Sequence, residues 1–595
     1  MPSLLRRGSA RAQGVRRARV LAGAVALLSL AGALPAAAQT RAAPERETGR
    51  TEKPLVRSAR YMVSAANPLA VEAGLEMLRA GGNAVDAAIA VQLVLNLVEP
   101  QSSGIGGGAF ILFWDQKARQ LRTYDGRETA PAAARPERFL KADGRPMPLR
   151  EAIFSGSSVG VPGLVAVMAL THKQHGRLPW ARLFAPAIRL AEEGFQVSPR
   201  LHVLLRWIGP TGFSPRARRY FFDADGSART IGSRLKNPEF ARTLREIATG
   251  GEAAFYRGRI AREIVAAVRA AARHPGDMTE ADVAGYRARE RPPVCIAYRQ
   301  RRVCGMGPPS SGGLTVAMAL KLVEPFELGR RPLDVRGVHV LTEAQKLAYA
   351  DRDRYMADAD VVPVPVSGLL DPAYLDSRRR LIRPLRAGPK ASPGRPPGVG
   401  IPPGRDGTRE RKGTSHISIV DADGNAVSMT TTIEGAFGSR QWAAGFLLNN
   451  ELTDFSLRPR DADGRPIANR VQGGKRPRSS MAPTIVFDAK GEVEAVLGSP
   501  GGSRIILYVL KSLVALIDWG MDAQAAAALV NFGSRNGPFE VEHGRDGPWL
   551  ALKMRALGHE VTPSFLVSGT HIVVRRGGRL EGGADPRREG VARGE

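Results

Sequence analysis

The sequence predicts a mixed α/β protein in which stacked β-sheets are covered by helices. Residues 150–380 read mainly as helices joined by loops, whereas residues 414–432 read as two alternating strands around Asp423-Gly424, a strong hairpin signal. Further strands and helices follow up to the C-terminus. Strands flanked on both sides by blocks of helices favour sheets with helical outer layers. With 595 residues, 43% of them hydrophobic, the chain is long enough to bury a sizeable core.

Residues 1–38 have the pattern of a secretory signal peptide. Several arginines precede the apolar residues 20–34, and Ala36-Ala37-Ala38 offers small side chains for cleavage before Gln39. The apolar run is short for a membrane span. We therefore expect an exported mature protein, periplasmic or secreted, that is not in a membrane. Arg16-Arg17 leaves open whether export follows the Sec or the twin-arginine route.

The formal net charge of +29 comes mostly from arginines scattered among loops. They form no basic stripe interleaved with aromatic side chains, so the pattern argues against nucleic-acid binding and favours a basic solvated surface. The nine histidines and two cysteines show no metal-ligand spacing. No metal and no cofactor is therefore expected.

Two helices and a glycine-rich turn are expected near the start of the mature chain. Asn67-Pro68 begins the first helix and Gly81-Gly82 ends it, and the nearly all-apolar residues 84–98 predict a second, buried helix. Residues 104–109 formally match a dinucleotide-binding fingerprint. Here a helix precedes the glycines and a strand follows them, which is the reverse of the order that phosphate binding needs. We expect a close backbone approach instead.

Cys295 and Cys304 are the two cysteines of the chain. If Arg299-Gln300 is a two-residue hairpin turn, they lie opposite each other in a non-hydrogen-bonded pair, which permits a disulfide in an exported protein. Arg-Gln is a poor dipeptide for such a turn, and a longer loop would shift the register. Bonded and free cysteines therefore both stay open.

Residues 386–413 form the clearest linker. They are rich in Gly, Pro, Arg and Lys and almost devoid of apolar side chains, so we expect a mobile segment outside the core. The strand pattern begins abruptly at Gly413-Thr414. Hydrolysis between these two residues would give Thr414 a free α-amine beside its own hydroxyl, a base and a nucleophile in one residue. We expect a large chain, 39–413, and a small catalytic chain, 414–595.

Lys412-Gly-Thr-Ser-His-Ile-Ser-Ile-Val-Asp-Ala-Asp-Gly-Asn-Ala-Val427 resembles the processing site of the γ-glutamyltranspeptidases, a family of N-terminal nucleophile hydrolases. The resemblance implies a four-layer αββα sandwich and a precursor that cleaves itself into a heterodimer of its own two chains. Seven further blocks match in the family's order: residues 99–110, 126–131, 308–313, 448–455, 475–481, 498–504 and 584–590.

The resemblance also assigns the residues of the reaction. Thr414 is the expected nucleophile, with its own α-amine as base, and Thr432 on the neighbouring strand orients its oxygen. The backbone amides of Gly501 and Gly502 are expected to form the oxyanion hole, because glycine lets the backbone approach a ligand closely.

A γ-glutamyl group would be held by its two charged ends. Cations suit the α-carboxylate and carboxylates suit the α-ammonium group. The positions that match the family are Arg127, Ser479 and Ser480 for the α-carboxylate, and Glu434, Glu451 and Asp454 for the α-amine. Position 434 is Glu where some members have Asn. Residues 457–478, which correspond to the family's lid over the site, contain no aromatic residue.

The implied reaction is the cleavage of glutathione and other γ-glutamyl amides through a γ-glutamyl-Thr414 ester. Water then gives glutamate, and an amino acid or peptide amine gives a new γ-glutamyl product. A glutaryl or cephalosporin acylase of the same fold is the alternative, although it would need no ammonium pocket. An uncleaved binding protein with a dead site is the alternative from another class, and the presence of Thr414, Thr432 and the glycine pair argues against it.

Overall fold

Two seven-stranded sheets pack against each other at the centre of the protein. The computed structural model describes residues 49–408 and 413–595. Its strands are β1 (Val56–Ser58), β2 (Met62–Ala65), β3 (Gly108–Asp115), β4 (Gln120–Gly126), β5 (Phe195–Gln196), β6 (Arg234–Leu235), β7 (Arg289–Arg291), β8 (Val294–Tyr298), β9 (Arg301–Gly305), β10 (Gly413–Val420), β11 (Ala426–Glu434), β12 (Trp442–Ala443), β13 (Phe446–Leu447), β14 (Thr484–Phe487), β15 (Val493–Gly498), β16 (Phe532–Gly533), β17 (Phe539–Glu542), β18 (Val561–Ser564), β19 (His571–Arg576), β20 (Arg579–Ala584) and β21 (Val591–Gly594).

Helices fill the intervals between the strands. They are α1 (Pro68–Arg79), α2 (Ala84–Val98), α3 (Leu149–Ile153), α4 (Leu164–His175), α5 (Ala185–Glu193), α6 (Pro199–Ile208), α7 (Pro215–Phe221), α8 (Pro238–Tyr256), α9 (Gly258–Arg269), α10 (Glu280–Gly285), α11 (Gly312–Val323), α12 (Val335–Tyr355), α13 (Val366–Leu369), α14 (Pro372–Arg379), α15 (Ile505–Ile517), α16 (Ala523–Ala528) and α17 (Gly547–Ala556). Within the described ranges, no helix has the length and apolar character needed to cross a membrane.

The strand orders define two central layers. Sheet I runs β21-β2-β10-β11-β3-β4-β7, and sheet II runs β1-β20-β19-β15-β14-β9-β8. Helices α1, α2 and α4 pack on sheet I, and helices α11, α15 and α16 pack on sheet II. The order helix, sheet, sheet, helix confirms the four-layer fold predicted from the sequence.

Side chains of β3 show how the layers are filled. Ile111 and Phe113 belong to the apolar core under the first helical layer, whereas Phe110 and Leu112 belong to the core that includes sheet II. This alternation follows from the two-residue period of a strand that is buried on both faces.

The first two helices begin as their sequence predicts. The Asn67 side chain accepts a hydrogen bond from the Leu69 N–H at the start of α1, and Asn83 forms a capping box with Asp86 at the start of α2. All fifteen residues of α2 are buried, as its apolar composition predicts.

The cysteine-bearing strands form a hairpin with a two-residue turn. Arg299 and Gln300 both have positive φ, 48° and 62°, and Cys295 is directly opposite Cys304. The two sulfurs are bonded, 2.09 Å apart. A type I′-like turn thus forms from two residues that rarely favour it, because the pairing of β8 and β9 imposes its geometry.

The described part of the predicted linker, residues 386–408, makes defined contacts with the rest of the protein. Residues 386–408 contain no helix or strand, but they contact the rest of the protein at defined points. The Gly394 N–H donates to Asp351 Oδ1 over 2.7 Å, the Ala391 N–H donates to Asn536 Oδ1 over 2.7 Å, and Asp406 forms an ion pair with Arg478. The polar composition of the segment keeps it out of the core. Its amides and its Asp406 carboxylate nevertheless bind to the surface of the rest of the protein. Residues 409–412 lie outside the described residues.

Candidate active site

Thr414 lies at the start of a buried strand in the centre of sheet I. It is directly opposite Thr432 on β11, and the register shifts by one residue between Gly413 and Thr414. Thr414 is 4% exposed and Thr432 is 3% exposed. The two threonines therefore lie next to each other on neighbouring strands, as expected. The bulge removes the Gly413-Thr414 peptide from the regular hydrogen-bond ladder.

A chain of hydroxyl contacts links Thr414 to the peptide that precedes it. The Thr414 hydroxyl donates to Thr432 Oγ1 over 3.3 Å, and the Thr432 hydroxyl donates to the Gly413 carbonyl over 2.5 Å. The Glu434 N–H donates to the same Thr432 oxygen over 2.8 Å. Thr432 therefore uses its one donor and both acceptor positions, which fixes its rotamer. It touches both the attacking oxygen and the carbonyl that Thr414 would attack.

Glycines next to Thr432 allow neighbouring backbone segments to come close. A Cβ on Gly107 would lie 2.0 Å from the Thr432 carbonyl oxygen, and a Cβ on Gly106 would lie 2.1 Å from the Leu447 carbonyl oxygen. This confirms the close backbone approach expected for the glycine-rich turn and leaves no room there for a phosphate group.

Thr414 lines a small cavity that is partly open to solvent. The cavity brings together nine of the ten positions that the sequence assigned to catalysis and binding, and the tenth, Gly501, immediately precedes the lining residue Gly502. The lining residues are Arg127, Thr414, Thr432, Glu434, Glu451, Asp454, Ser479, Ser480, Met481, Gly502 and Ile505. Gly501 and Gly502 have φ values of 144° and 58°. Such values favour glycine, since other residues rarely adopt them.

Arg127 is bound to two of the acidic residues of the site. Its guanidinium donates to Glu451 and, over 2.6 Å, to Asp454 Oδ2. It also donates to the carbonyls of Pro477, over 3.2 Å, and Arg478, over 2.9 Å. The sequence placed Arg127 and these carboxylates at opposite ends of a substrate, whereas the structure joins them in one buried ion cluster. These bonds use four of the five N–H groups of the guanidinium, so for Arg127 to bind a substrate carboxylate through two N–H groups, one of these bonds must be exchanged.

Three carboxyl groups surround the single guanidinium of Arg127. Glu128, which is fully buried, lies 3.9 Å from the guanidinium. Burial raises the pKa of Glu128 to about 7 and raises the pKa of Glu451 well above its usual range, although Arg127 opposes both shifts. Burial also disfavours the charge of Arg127, but Glu451 and Asp454 outweigh that effect and raise its pKa. Acidification through about pH 7 therefore removes charge from Glu128 and not from Arg127.

The two serines are held from the side of the large helix α12. The Arg352 guanidinium donates to Ser480 Oγ over 2.5 Å and to Ser311 Oγ over 2.9 Å. The N–H and the hydroxyl of Ser311 in turn donate to the Ser479 carbonyl. Ser311 falls in one of the sequence blocks that were not assigned a role, and Arg352 falls in none of them. Ser311 and Arg352 therefore position the two serines. Neither residue was assigned this role from the sequence.

A group of metal-ligand side chains lies elsewhere. In the described part of the chain, His339, Glu343 and His559 bring possible ligand atoms within 4.8 Å of one another. The two imidazoles hydrogen-bond each other over 2.7 Å, and the Lys346 ammonium donates to Glu343 over 2.9 Å. These atoms already have protein partners, and Lys346 stands where a cation would bind. The group joins helix α12 to the region after α17.

A comparison with protein families identifies the family of this chain. The model described as gamma-glutamyltranspeptidase matches residues 70–595. The chain belongs to the gamma-glutamyltranspeptidase family. Its relatives include the glutathione hydrolase proenzymes of Escherichia coli, 36% identical over 89% of this chain and 91% of that protein, and of Bacillus subtilis, 35% identical over 90% and 91%.

Similar solved structures include both an acylase and a γ-glutamyltranspeptidase. The cephalosporin acylase of Bacillus halodurans superposes with a TM-score of 0.80, at 30% identity, covering 92% of this chain and 98% of that one. The γ-glutamyltranspeptidase of Helicobacter pylori gives a TM-score of 0.52 at 34% identity, covering 58% of this chain and 97% of that one. The family membership and the N-terminal nucleophile fold are thus shown.

The two departures from the family pattern are Glu434 and the segment 457–478, which has no aromatic residue. Glu434 has a positive φ of 71° and accepts a hydrogen bond from the Asn450 amide, whose Nδ2 also donates to Thr453 over 3.0 Å. The segment 457–478 forms an irregular loop that leads directly into Ser479 and Ser480, and Lys475 lies over the ring of Phe455 at 5.8 Å. Phe455, which precedes the loop by two residues, therefore places an aromatic ring at its base.

Proposed function

We propose that this γ-glutamyltranspeptidase-family enzyme cleaves its own Gly413-Thr414 bond and then hydrolyses or transfers γ-glutamyl groups from glutathione and related amides. The supporting observation is the hydroxyl chain from Thr414 through Thr432 to the Gly413 carbonyl. In the uncleaved chain, it brings the attacking Thr414 hydroxyl, the Thr432 hydroxyl and the Gly413 carbonyl together in one buried group.

Self-cleavage follows from that geometry. Thr414 Oγ attacks the Gly413 carbonyl carbon while its proton passes to Thr432 Oγ1, and Thr432 passes its own proton to the carbonyl oxygen to which it is hydrogen-bonded. The C–N bond then breaks and the nitrogen of Thr414 takes up a proton, which leaves an ester on Thr414. Water hydrolyses this ester, so that Gly413 becomes a carboxylate and Thr414 gains a free hydroxyl and a free α-amine.

The same oxygen performs the turnover. The neutral α-amine of Thr414 takes the hydroxyl proton as Oγ attacks the γ-carbonyl of the substrate, and we assign the oxyanion to the backbone amides of Gly501 and Gly502. The C–N bond of the substrate breaks, and its amine leaves with that proton. Water or the amine of an amino acid or peptide then attacks the ester, which releases glutamate or a new γ-glutamyl product.

The substrate class is inferred from charge. The cavity presents the carboxylates of Glu434, Glu451 and Asp454 to an ammonium group, and Arg127 with Ser479 and Ser480 to a carboxylate. Relatives named glutathione hydrolase, with 34–36% identity over most of the chain, support this reading. The likeness to a cephalosporin acylase keeps an acylase as the second candidate.

Two anilides separate these candidates. Glutaryl-p-nitroanilide is γ-glutamyl-p-nitroanilide without its α-amine, so the ratio of their kcat/KM values reports on the ammonium pocket alone. We expect the γ-glutamyl compound to be favoured by at least about 100-fold, the effect of a lost charged hydrogen bond. A preference for the glutaryl compound would assign the chain to the acylases.

The nucleophile is tested by the mass and N-terminal sequence of the purified protein. We expect a small chain that begins Thr-Ser-His, and Thr414→Ala should abolish both processing and turnover, because one oxygen serves both. Normal two-chain maturation of Thr414→Ala would contradict the mechanism.

We also propose that the enzyme is exported and works as a heterodimer of residues 39–413 and 414–595. The pattern of residues 1–38 and the family's proenzyme names support this proposal. Cell fractionation should recover the activity outside the cytoplasm, with a large chain that begins near Gln39. A cytoplasmic enzyme that retains Met1 would contradict the export.

A further inference from the structure

An asparagine in the loop 457–478 joins the two parts of the pocket that would hold the charged ends of a substrate. Asn469 Nδ2 donates to the Asp454 carbonyl over 2.8 Å, and Asn469 Oδ1 accepts from the Arg478 N–H over 3.0 Å. Asp454 ends the short helical turn Glu451–Asp454, and Arg478 immediately precedes the two serines of the site. One side chain therefore bridges the turn that bears the carboxylates and the segment that bears the serines.

Further hydrogen bonds hold Asn469 itself in place. Nδ2 also donates to Asp406 Oδ2 over 3.1 Å, and the Asn469 carbonyl accepts from the Ser456 N–H over 2.8 Å. The Lys475 ammonium donates to the carbonyls of the residues on either side of Asn469, over 2.5 and 3.1 Å. Asn469 is 1% exposed. Because Nδ2 faces two acceptors and Oδ1 faces a donor, these partners determine the orientation of the amide.

Arg127 bridges the same two positions from the side of the cavity. Its guanidinium donates to the Asp454 carboxylate over 2.6 Å and to the Arg478 carbonyl over 2.9 Å. Binding of a substrate carboxylate exchanges one of the bonds of Arg127, so this bridge weakens when a substrate enters. Asn469 is not among the residues that line the cavity, so a substrate does not compete for its bonds. The link through Asn469 therefore remains while Arg127 changes partners.

We propose that Asn469 is a positioning residue that holds the turn Glu451–Asp454 and the two serines at the spacing required by a substrate with both an α-ammonium and an α-carboxylate group. The inference rests on the proposed function. A substrate with both groups must contact both parts of the pocket at once, whereas an analogue with one of them needs only one part. A fixed spacing therefore favours compounds that carry both charges, because binding groups held in position lose little freedom on binding.

Three anilides measure the effect of this spacing. γ-Glutamyl-p-nitroanilide carries both charged groups, glutaryl-p-nitroanilide lacks the α-amine, and 4-aminobutanoyl-p-nitroanilide lacks the α-carboxylate. In Asn469→Ala, kcat/KM for the γ-glutamyl compound should fall about tenfold more than kcat/KM for either analogue, since displacement of a binding group by about 1 Å can cost up to about 100-fold. The amount of folded enzyme cancels in these ratios, so a merely structural role would leave them unchanged.

Asn531→Ala is the matched control. Asn531 is fully buried, and its Nδ2 donates to the Leu566 carbonyl and the Ser568 hydroxyl while its Oδ1 accepts from the Lys511 ammonium. The variant thus removes as many side-chain hydrogen bonds as Asn469→Ala, but none of these residues lines the cavity. We expect any loss of kcat/KM to be equal for the three anilides.

Asn469→Ser is the second variant, for the case that Asn469→Ala is not cut into two chains. Its hydroxyl is too short to bridge both positions, and the space beside it admits water to the groups that lose a partner. The ratios should change in the same direction as in Asn469→Ala.

Each result either supports or overturns the proposal. Ratios equal to those of the wild type in Asn469→Ala, or in Asn469→Ser if only that variant is cut, overturn it. If neither variant is cut, Asn469 serves folding or self-cleavage instead of substrate selection, which also overturns it. A failure of the proposed function would appear in the wild-type enzyme, as a preference for the glutaryl over the γ-glutamyl compound.

Discussion

In the proposed self-cleavage, Thr432 has as large a part as Thr414. Its single oxygen accepts from Thr414 and from the Glu434 N–H and donates to the Gly413 carbonyl. A hydroxyl that polarises the bond to be broken acts as an oxyanion donor, and removal of such a donor typically slows a reaction by 10²–10³-fold.

Thr432→Val should therefore slow the appearance of the two chains by about 100-fold or more, because valine keeps the shape and loses both hydrogen-bonding roles. A time course of cleavage after denaturing electrophoresis measures this rate. Thr431→Val is the matched control, since Thr431 is adjacent, fully buried and on the opposite face of β11. Equal slowing in both variants would show that the effect comes from packing.

Arg127 has a structural task that its expected binding role did not suggest. Removing one partner of a buried ion pair leaves the other charge uncompensated, which destabilises a protein by about 3–5 kcal/mol. Arg127→Ala should show such a loss in urea unfolding, together with a raised KM. Arg127→Met combined with Glu451→Gln and Asp454→Asn should recover most of the stability but not the KM. Unchanged stability of the single variant would contradict the ion cluster.

The raised carboxyl pKa values predict how binding depends on pH. Deprotonated carboxylates attract the substrate ammonium, and burial moves the loss of their charge from the usual range up to about 7 for Glu128 and well above normal for Glu451. The preference for the γ-glutamyl over the glutaryl anilide should therefore be greatest near pH 8 and fall as pH decreases through about 7. Comparing KM for both anilides from pH 5.5 to 8.5 measures it. A preference that persists to pH 5.5 would contradict the assignment.

At the scale of elements, the segment before the cleavage site is a strap rather than a free tail. Residues 386–408 meet the main body through backbone amides at Ala391 and Gly394 and through the Asp406 carboxylate. Asp406 also accepts from the Asn469 amide over 3.1 Å, so the strap contacts the loop 457–478 beside the site.

Hydrogen exchange should distinguish anchored from free amides within this strap. The amides of Ala391 and Gly394 donate to side chains of the body, so they should exchange at least about tenfold more slowly than those of the exposed Gly398 and Gly400. Mass spectrometry of overlapping peptides gives these rates. Uniformly fast exchange over residues 386–408 would restore the picture of a mobile linker throughout.

At the scale of the whole molecule, the two prospective chains are interleaved in both sheets. In sheet I, β2 of the large chain lies between β21 and β10 of the small chain, and β11 of the small chain pairs with β3 of the large chain. In sheet II, β1 pairs with β20, and β9 pairs with β14. Separation of the chains would break both sheets and expose the shared core.

The cleaved enzyme should therefore unfold as one unit. We expect a single calorimetric transition and co-elution of both chains in native size exclusion, although the described disulfide, Cys295–Cys304, lies within the large chain and cannot link them. Denaturing electrophoresis should separate the chains without a reducing agent. Two resolved transitions, or a small chain that elutes alone, would contradict the interleaving.

The sequence by itself determined the features that depend on neighbouring residues. Asn67 and Asn83 cap the helices that follow them, the apolar run of α2 is buried throughout, and the block at Gly413-Thr414 identifies the family. Only the tertiary structure decided that Arg127 pairs with Glu451, 324 residues away, and that Arg588 reaches Thr414 across 174 residues. Local sequence preferences cannot predict such partners, because the partner of a buried charge is determined by which groups the folded sheets bring next to it.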